Sequence, residues 1–241
     1  MTNQPKDLLG TVSGGRLLDV ATGSGGFINF LIDGLQDYLE IIGLDSSESG
    51  RAAFEEAYKD QPQIHFVQMT ADRIDFPADS FDSVCIAHSL HHMENLEQVL
   101  AEMLRVLKPG GNFIIYEMYR DEQSETQLTH VYLHHWWAAV DTATGVCHHE
   151  TFTRQQILDI VDRLDLTDRR SLDFCDLSDD PYDPARIEHL QGVIERYCQR
   201  VEGLPQQDEL HRRGAELRLR LEQVGVQGAS SLGIIGRKRS A

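Results

Sequence analysis

The sequence predicts an α/β fold built on a doubly wound, mostly parallel sheet. Three observations carry this reading. Short apolar runs of strand length alternate with stretches of helical periodicity. A glycine-rich turn joins the first such run to the first helix. The chain has 241 residues, 41% of them hydrophobic, enough to bury one large core and carry an insertion.

The first strand and turn lie in Arg16 to Gly26, which read R-L-L-D-V-A-T-G-S-G-G. Leu17-Leu18-Asp19-Val20 is the strand. Gly23 and Gly25 allow a tight turn, and Phe27, Phe30, Leu31 and Leu35 follow at helical spacing. Such a turn presents backbone N–H groups and a helix N-terminus to a ligand. Two common nucleotide fingerprints fail. The third glycine of G-x-G-x-x-G would stand at Ile28, and G-x-x-x-x-G-K-[ST] is absent.

Further strands follow in order. Leu39 to Asp45 ends in an acid about 20 residues past the glycine turn, the spacing of a carboxylate that holds ribose hydroxyls. Ser46 to Asp60 reads as a capped helix. Ile64 to Gln68 is a third strand, followed by the loop Met69-Thr70-Ala71-Asp72. Ser83 to Ala87 is a fourth, and His88 follows it. Leu96, Val99, Leu100, Met103, Leu104 and Leu107 recur at helical spacing until Pro109-Gly110, and Asn112 to Glu117 is a fifth strand.

Asp19, Ala21, Gly23 and Gly25 place an acid and then small residues at alternate positions. This resembles motif I of the class I S-adenosylmethionine (SAM)-dependent methyltransferases, in which glycine usually stands where Ala21 does. The block from Asp72 to Lys108-Pro109-Gly110-Gly111 looks like the ubiquinone/menaquinone-biosynthesis-type (methyltransferase domain 11-like) branch. The resemblance covers roughly the first half of the chain. It implies a Rossmann-like seven-stranded sheet with an antiparallel last strand. It also implies SAM as cofactor, S-adenosylhomocysteine as product, and a cofactor site of Asp19, Ala21, Gly23, Ser24, Gly25, Asp45, Ser46, Thr70, Ala71, Asp72, Ala87 and His88. The family usually carries an acid facing the adenine amine where Thr70 stands, so that contact passes to Asp72, the Ala71 amide or the Thr70 hydroxyl.

The second half changes character. Gln123 to Val140 reads as a helix rich in His and aromatics, and Thr153 caps another helix with Ile157, Ile160, Val161 and Leu164 as its apolar face. Ser171 to Leu177 and Ala229 to Lys238 are the last two strands. About 45 residues separate them, far more than a hairpin loop. Within that interval Pro184 to Gln223 reads as an αα-hairpin broken near Gly203-Leu204-Pro205. The organisation expected is a single domain over residues 1–241, with 120–150 as a substrate-side lid and 184–223 as a helical insertion serving as lid or homodimer contact.

Composition narrows the function. With 39 acids against 22 bases the net charge is −17, a field that repels nucleic acid and anionic membrane surfaces. A small-molecule acceptor fits better. No run approaches the ~20 apolar residues of a membrane span. The N-terminus lacks an apolar leader, and the four cysteines have no C-x-x-C spacing, which together favour a reducing cytoplasm.

Methyl transfer is an in-line displacement that asks mainly for proximity and orientation. His88, Glu117, Tyr119 and His130 are the candidate catalytic residues, His88 as a proton acceptor beside the transferred methyl. The His-rich segment has a second reading. His130 and His134 are four residues apart on one helix face, and His148 and His149 follow, a set that could ligate a metal. Otherwise they are polar and aromatic lid residues. A SAM-responsive binding module, or a metal-assisted enzyme, is the alternative to the methyltransferase.

Overall fold

The computed structural model describes residues 3–240. Two compact units emerge. One comprises Met1–Glu117, Leu158–Phe174 and Leu232–Ala241, the other Met118–Ile157 and Cys175–Ser231.

The first unit holds the sheet. Its strands are Arg16–Val20 (β1), Glu40–Asp45 (β2), Ile64–Gln68 (β3), Phe81–Ala87 (β4), Leu107–Met118 (β5), Leu166–Phe174 (β6) and Ser231–Lys238 (β7). They lie in the order β3-β2-β1-β4-β5-β7-β6, with the last strand antiparallel. Residues of β1, β2 and β4 are buried almost throughout, as expected of strands covered on both faces. Helices Pro5–Leu9 (α1), Gly26–Gly34 (α2), Arg51–Ala57 (α3) and Leu96–Val106 (α4) flank them. The core gathers Leu17, Ile28, Leu31, Ile41, Phe54 and Ile114. The strand order reverses between β1 and β4, so a crevice opens beyond their carboxyl ends, where open α/β sheets bind ligands.

Several boundaries differ from the sequence reading. α3 begins at Arg51 rather than Ser46, because Asp45 and Ser47 to Ser49 close a polar turn first. β5 starts at Leu107 and takes in Pro109-Gly110. Phe81 pairs with Leu107 and Ser83 with Asn112, so the extra residues form a bulge, with Gly110 at φ +73°. β6 starts at Leu166 and ends at Phe174, not Ser171 to Leu177.

The second unit is helical: Glu125–Ala143 (α5), Pro184–Arg200 (α7) and Gln207–Gln223 (α8). Arg154–Asp162 (α6) is shared with the first unit. Leu133, Trp136, Val140, Ile194, Leu210, Leu217 and Leu221 form its core. The residues read as lid (120–150) and as insertion (184–223) pack on one another within this unit. Local caps set the helix starts. Ser124 and Gln127 make a reciprocal capping box on α5, and Asp183 caps α7 with Pro184 in its first turn. Among the described residues no helix is long and apolar enough to cross a membrane.

Candidate cofactor site at the carboxyl ends of the strands

The glycine turn after β1 is held from three sides. Gly23 (φ +54°) and Gly25 (φ +83°) adopt left-handed backbone, and a Cβ on Gly25 would lie 2.6 Å from the Tyr58 ring. Tyr58 donates its hydroxyl to the Gly25 carbonyl at 2.7 Å. The Gly23 N–H donates to an Asp45 carboxylate oxygen at 2.9 Å, and the other oxygen accepts the Ser47 N–H. Asp45 therefore ties the ends of β1 and β2 into one rim. Its main-chain oxygen accepts the Met69 N–H, which extends the rim to β3.

Asp19 lies beneath the turn and is 1% exposed. It accepts from the Thr22 hydroxyl at 2.6 Å and the Cys85 thiol at 3.2 Å. Burial pushes its carboxyl up to about 6. The Thr22 and Cys85 bonds oppose that rise, and the Asp45 charge adds to it. Burial also pushes the Cys85 thiol up, reinforced by Asp19.

The Thr70–Asp72 loop is positioned by α4. Arg105 donates to the Ile74 and Phe76 carbonyls, while its ion-pair partner Glu102 accepts the Ile74 N–H. Thr70 and Asp72 are exposed, so their side chains are open to a ligand. Ser24 and Ser46 are exposed as well.

The turn after β4 is strained and braced. His88 sits at φ +47°, and its N–H donates to the Tyr116 carbonyl at 2.8 Å. Its side chain is exposed, with the ring edge-to-face on Tyr116 at 5.1 Å. The protein packed around the ring lowers the His88 pKa. Glu117 partly offsets that fall and His91 adds to it. Glu117, read from sequence as facing an acceptor, is 0% exposed. One carboxylate oxygen accepts the Ser89 and Leu90 N–H groups, and the other lies 3.0 Å from the His91 ring. The inward-pointing register of β5 commits this side chain to the loop.

In the second unit the four histidines of the metal reading divide. His134 and His148 come together edge to face at 4.9 Å, with ligand nitrogens within 4.8 Å. His130, expected to pair with His134, instead accepts the Ala229 N–H at 3.0 Å. His149 is exposed beside Cys147. His148 is oriented by Asp141 at 2.7 Å, which also pairs with Arg200. Burial raises the Asp141 carboxyl, but those two bonds outweigh it and hold it below the usual carboxylate range. Tyr119 is buried and its N–H donates to the Ser230 carbonyl.

Sequence reasoning missed the brace on Asp19 from Cys85, the Tyr58 hydroxyl, the Glu102–Arg105 clamp and the burial of Glu117. Only the clamp left a sequence signal, an acid and a base three apart on the polar face of a helix.

Strand order, glycine turn and strand-end carboxylates together define the class I methyltransferase fold. Residues 18–115 match the family model described as a methyltransferase domain. The ubiquinone/menaquinone biosynthesis C-methyltransferase UbiE of Geobacter sulfurreducens is 39% identical over 107 residues, 43% of this chain and 42% of that protein. The YcgJ protein of Bacillus subtilis shares the fold at TM-score 0.56 and 17% identity, covering 98% of this chain and 95% of that one. The [4+2]-cyclase SpnF shares it at TM-score 0.59 and 20% identity, covering 98% and 79%. Over residues 18–115 the chain is similar to class I SAM-dependent methyltransferases of the UbiE-type branch; SAM is the cofactor of that family. It spans about half the length of the curated relatives it matches, and the family match ends at residue 115.

Proposed function

We propose that this chain binds SAM along the rim from β1 to β4 and moves its methyl group to a small-molecule acceptor. The observation that carries this reading is the bond between Gly23 and Asp45, which makes the glycine turn and the strand-end carboxylate a single preformed cradle. A carboxylate has about four acceptor positions. Two are used by Gly23 and Ser47, so Asp45 keeps capacity for the two ribose hydroxyls.

When bound, SAM would supply an activated methyl carbon for attack by an oxygen, nitrogen or carbon nucleophile of the acceptor, the carbon–sulfur bond breaking to leave S-adenosylhomocysteine. The chain's own part is placement. Gly23, Ser24 and Gly25 with Asp19 and Ala21 hold the methionine end; Asp45 and Ser46 hold the ribose; Thr70, Ala71 and Asp72 hold the adenine. Ala87 and His88 stand beside the transferred group. His88, whose pKa is lowered, accepts a proton from an acceptor that must lose one. Glu117 is a positioning residue that fixes the turn carrying His88. Tyr119 and His130, with segments 120–150 and 184–223, select the acceptor. That half lies outside the family match.

Calorimetric titration tests the cofactor site. Asp45→Ala should weaken SAM binding by about 2 kcal/mol, roughly thirtyfold, through loss of charged hydrogen bonds. Unchanged affinity in a folded variant overturns the site. Incubation with labelled SAM and a small-molecule extract tests the turnover. Label in a low-mass product supports transfer; tight SAM binding with no labelled product favours a SAM-responsive binding module instead.

A further inference from the structure

We infer that the helical unit carries a ligand site of its own, for a small amphipathic anion, with Arg213 as its charge partner. The inference needs nothing from the methyl-transfer reading.

Two adjoining cavities, of about 340 and 820 Å³, share His135, Glu150 and Arg213 in their walls. Both volumes fall in the range of small-molecule pockets. Close approach of α8 to α5 shapes them. Gly214 permits it, since a Cβ there would lie 3.0 Å from the Trp136 ring. Trp136 is fully buried and donates its indole N–H to the Leu210 carbonyl, which fixes the back wall.

The charges lining these cavities are mostly committed. Glu209 and Glu216 are both paired with Arg212. Arg220 donates to the Glu125 carboxylate and carbonyl and to Thr129, and lies 5.0 Å from the Tyr132 ring centre. Glu150 faces His135 at 3.8 Å and Arg120 at 3.9 Å. Arg213 is different. It is half-buried and, among the described residues, has no hydrogen bond or ion pair. In a chain of net charge −17, a partly desolvated guanidinium without an acid is an anomaly. Its fork geometry suits a carboxylate, sulfonate or phosphate held by two bonds. Tyr132, Leu217 and the alanines of α5 offer apolar surface beside it. The ligand class that satisfies both features has one anionic group on a flat or compact apolar body.

Anilinonaphthalene sulfonate has that chemistry and fluoresces when bound. Titrated into the full chain with S-adenosylhomocysteine in excess, it should bind at one site. Arg213→Gln should weaken that binding about tenfold or more, Arg213→Lys should weaken it less, and Asp45→Ala should leave it unchanged. Equal binding by wild type and Arg213→Gln overturns the inference, as does loss of binding in Asp45→Ala. Should Arg213→Gln fail to fold, the Lys variant still decides: affinity identical to wild type means that the guanidinium fork is not used.

Discussion

Ala21 stands at φ +58°, where the family usually carries glycine. Left-handed backbone costs an L-residue about 1–2 kcal/mol, and part of that returns through the freer unfolded chain of a glycine variant. Ala21→Gly should therefore raise stability by roughly 0.5–1 kcal/mol in urea denaturation; a loss would mean that the methyl group packs usefully. Asp19 gives a pH signature. Its folded pKa of about 6 lies above the unfolded value near 3.9, so the native state holds the extra proton between those values. The stability it contributes is present below about pH 4 and lost as pH rises through 6. Asp19→Asn should thus be no less stable than wild type at pH 8, with a gain of up to about 3 kcal/mol, and should lose the wild type's stabilisation on acidification. A variant less stable at pH 8, by urea midpoint, would show that the charge is better compensated than its two donors suggest. The acid at the end of β1 was readable from the sequence. Its partner Cys85 was not, because it reaches Asp19 from β4, 66 positions away.

Elements specified by neighbours in sequence were the legible ones. Thr153 caps α6 through bonds with Gln156, and the αα-hairpin appears as α7 and α8 with its break where Gly203 and Pro205 stand. β6 was misplaced because it is an edge strand. Asp168, Arg169, Arg170 and Ser171 are all exposed and erase the apolar alternation, and Asp168 at φ +50° breaks it further. Glu117 was misread for a related reason. A strand end looks solvent-facing in sequence, and the loop that β5 buries it against is contributed by β4. Removing this side chain should unbrace the turn at His88. Glu117→Ala orphans two buried N–H groups and removes the carboxylate beside the His91 ring, and should cost about 3 kcal/mol or more in thermal or urea unfolding. Glu117→Gln keeps one acceptor oxygen and should cost less. An alanine variant as stable as wild type would return Glu117 to the acceptor-facing role.

At the scale of the whole molecule, the chain passes between its two units in or directly at the end of regular elements. The four boundaries fall before the last residue of β5, within α6, at the end of β6 and after the first residue of β7, so both segments of the helical unit, 118–157 and 175–231, are anchored at each end in elements of the sheet unit. Unfolding the sheet releases all four anchors and restores the loop-closure entropy that they suppress. The helical unit should therefore melt with the sheet rather than alone. The two tryptophans, Trp136 and Trp137, both lie in the helical unit, whereas every residue of the proposed cofactor rim lies in the sheet unit. S-adenosylhomocysteine at about 100 times its Kd should stabilise the fold by about 2.7 kcal/mol, or roughly 5–10 °C for a chain of this size. The tryptophan fluorescence midpoint should rise together with the far-ultraviolet circular dichroism midpoint, although no tryptophan belongs to the unit that would hold the ligand. A shift in circular dichroism with an unmoved fluorescence midpoint would mean that the units unfold independently. The helical unit would then be free to open while the cofactor stays bound.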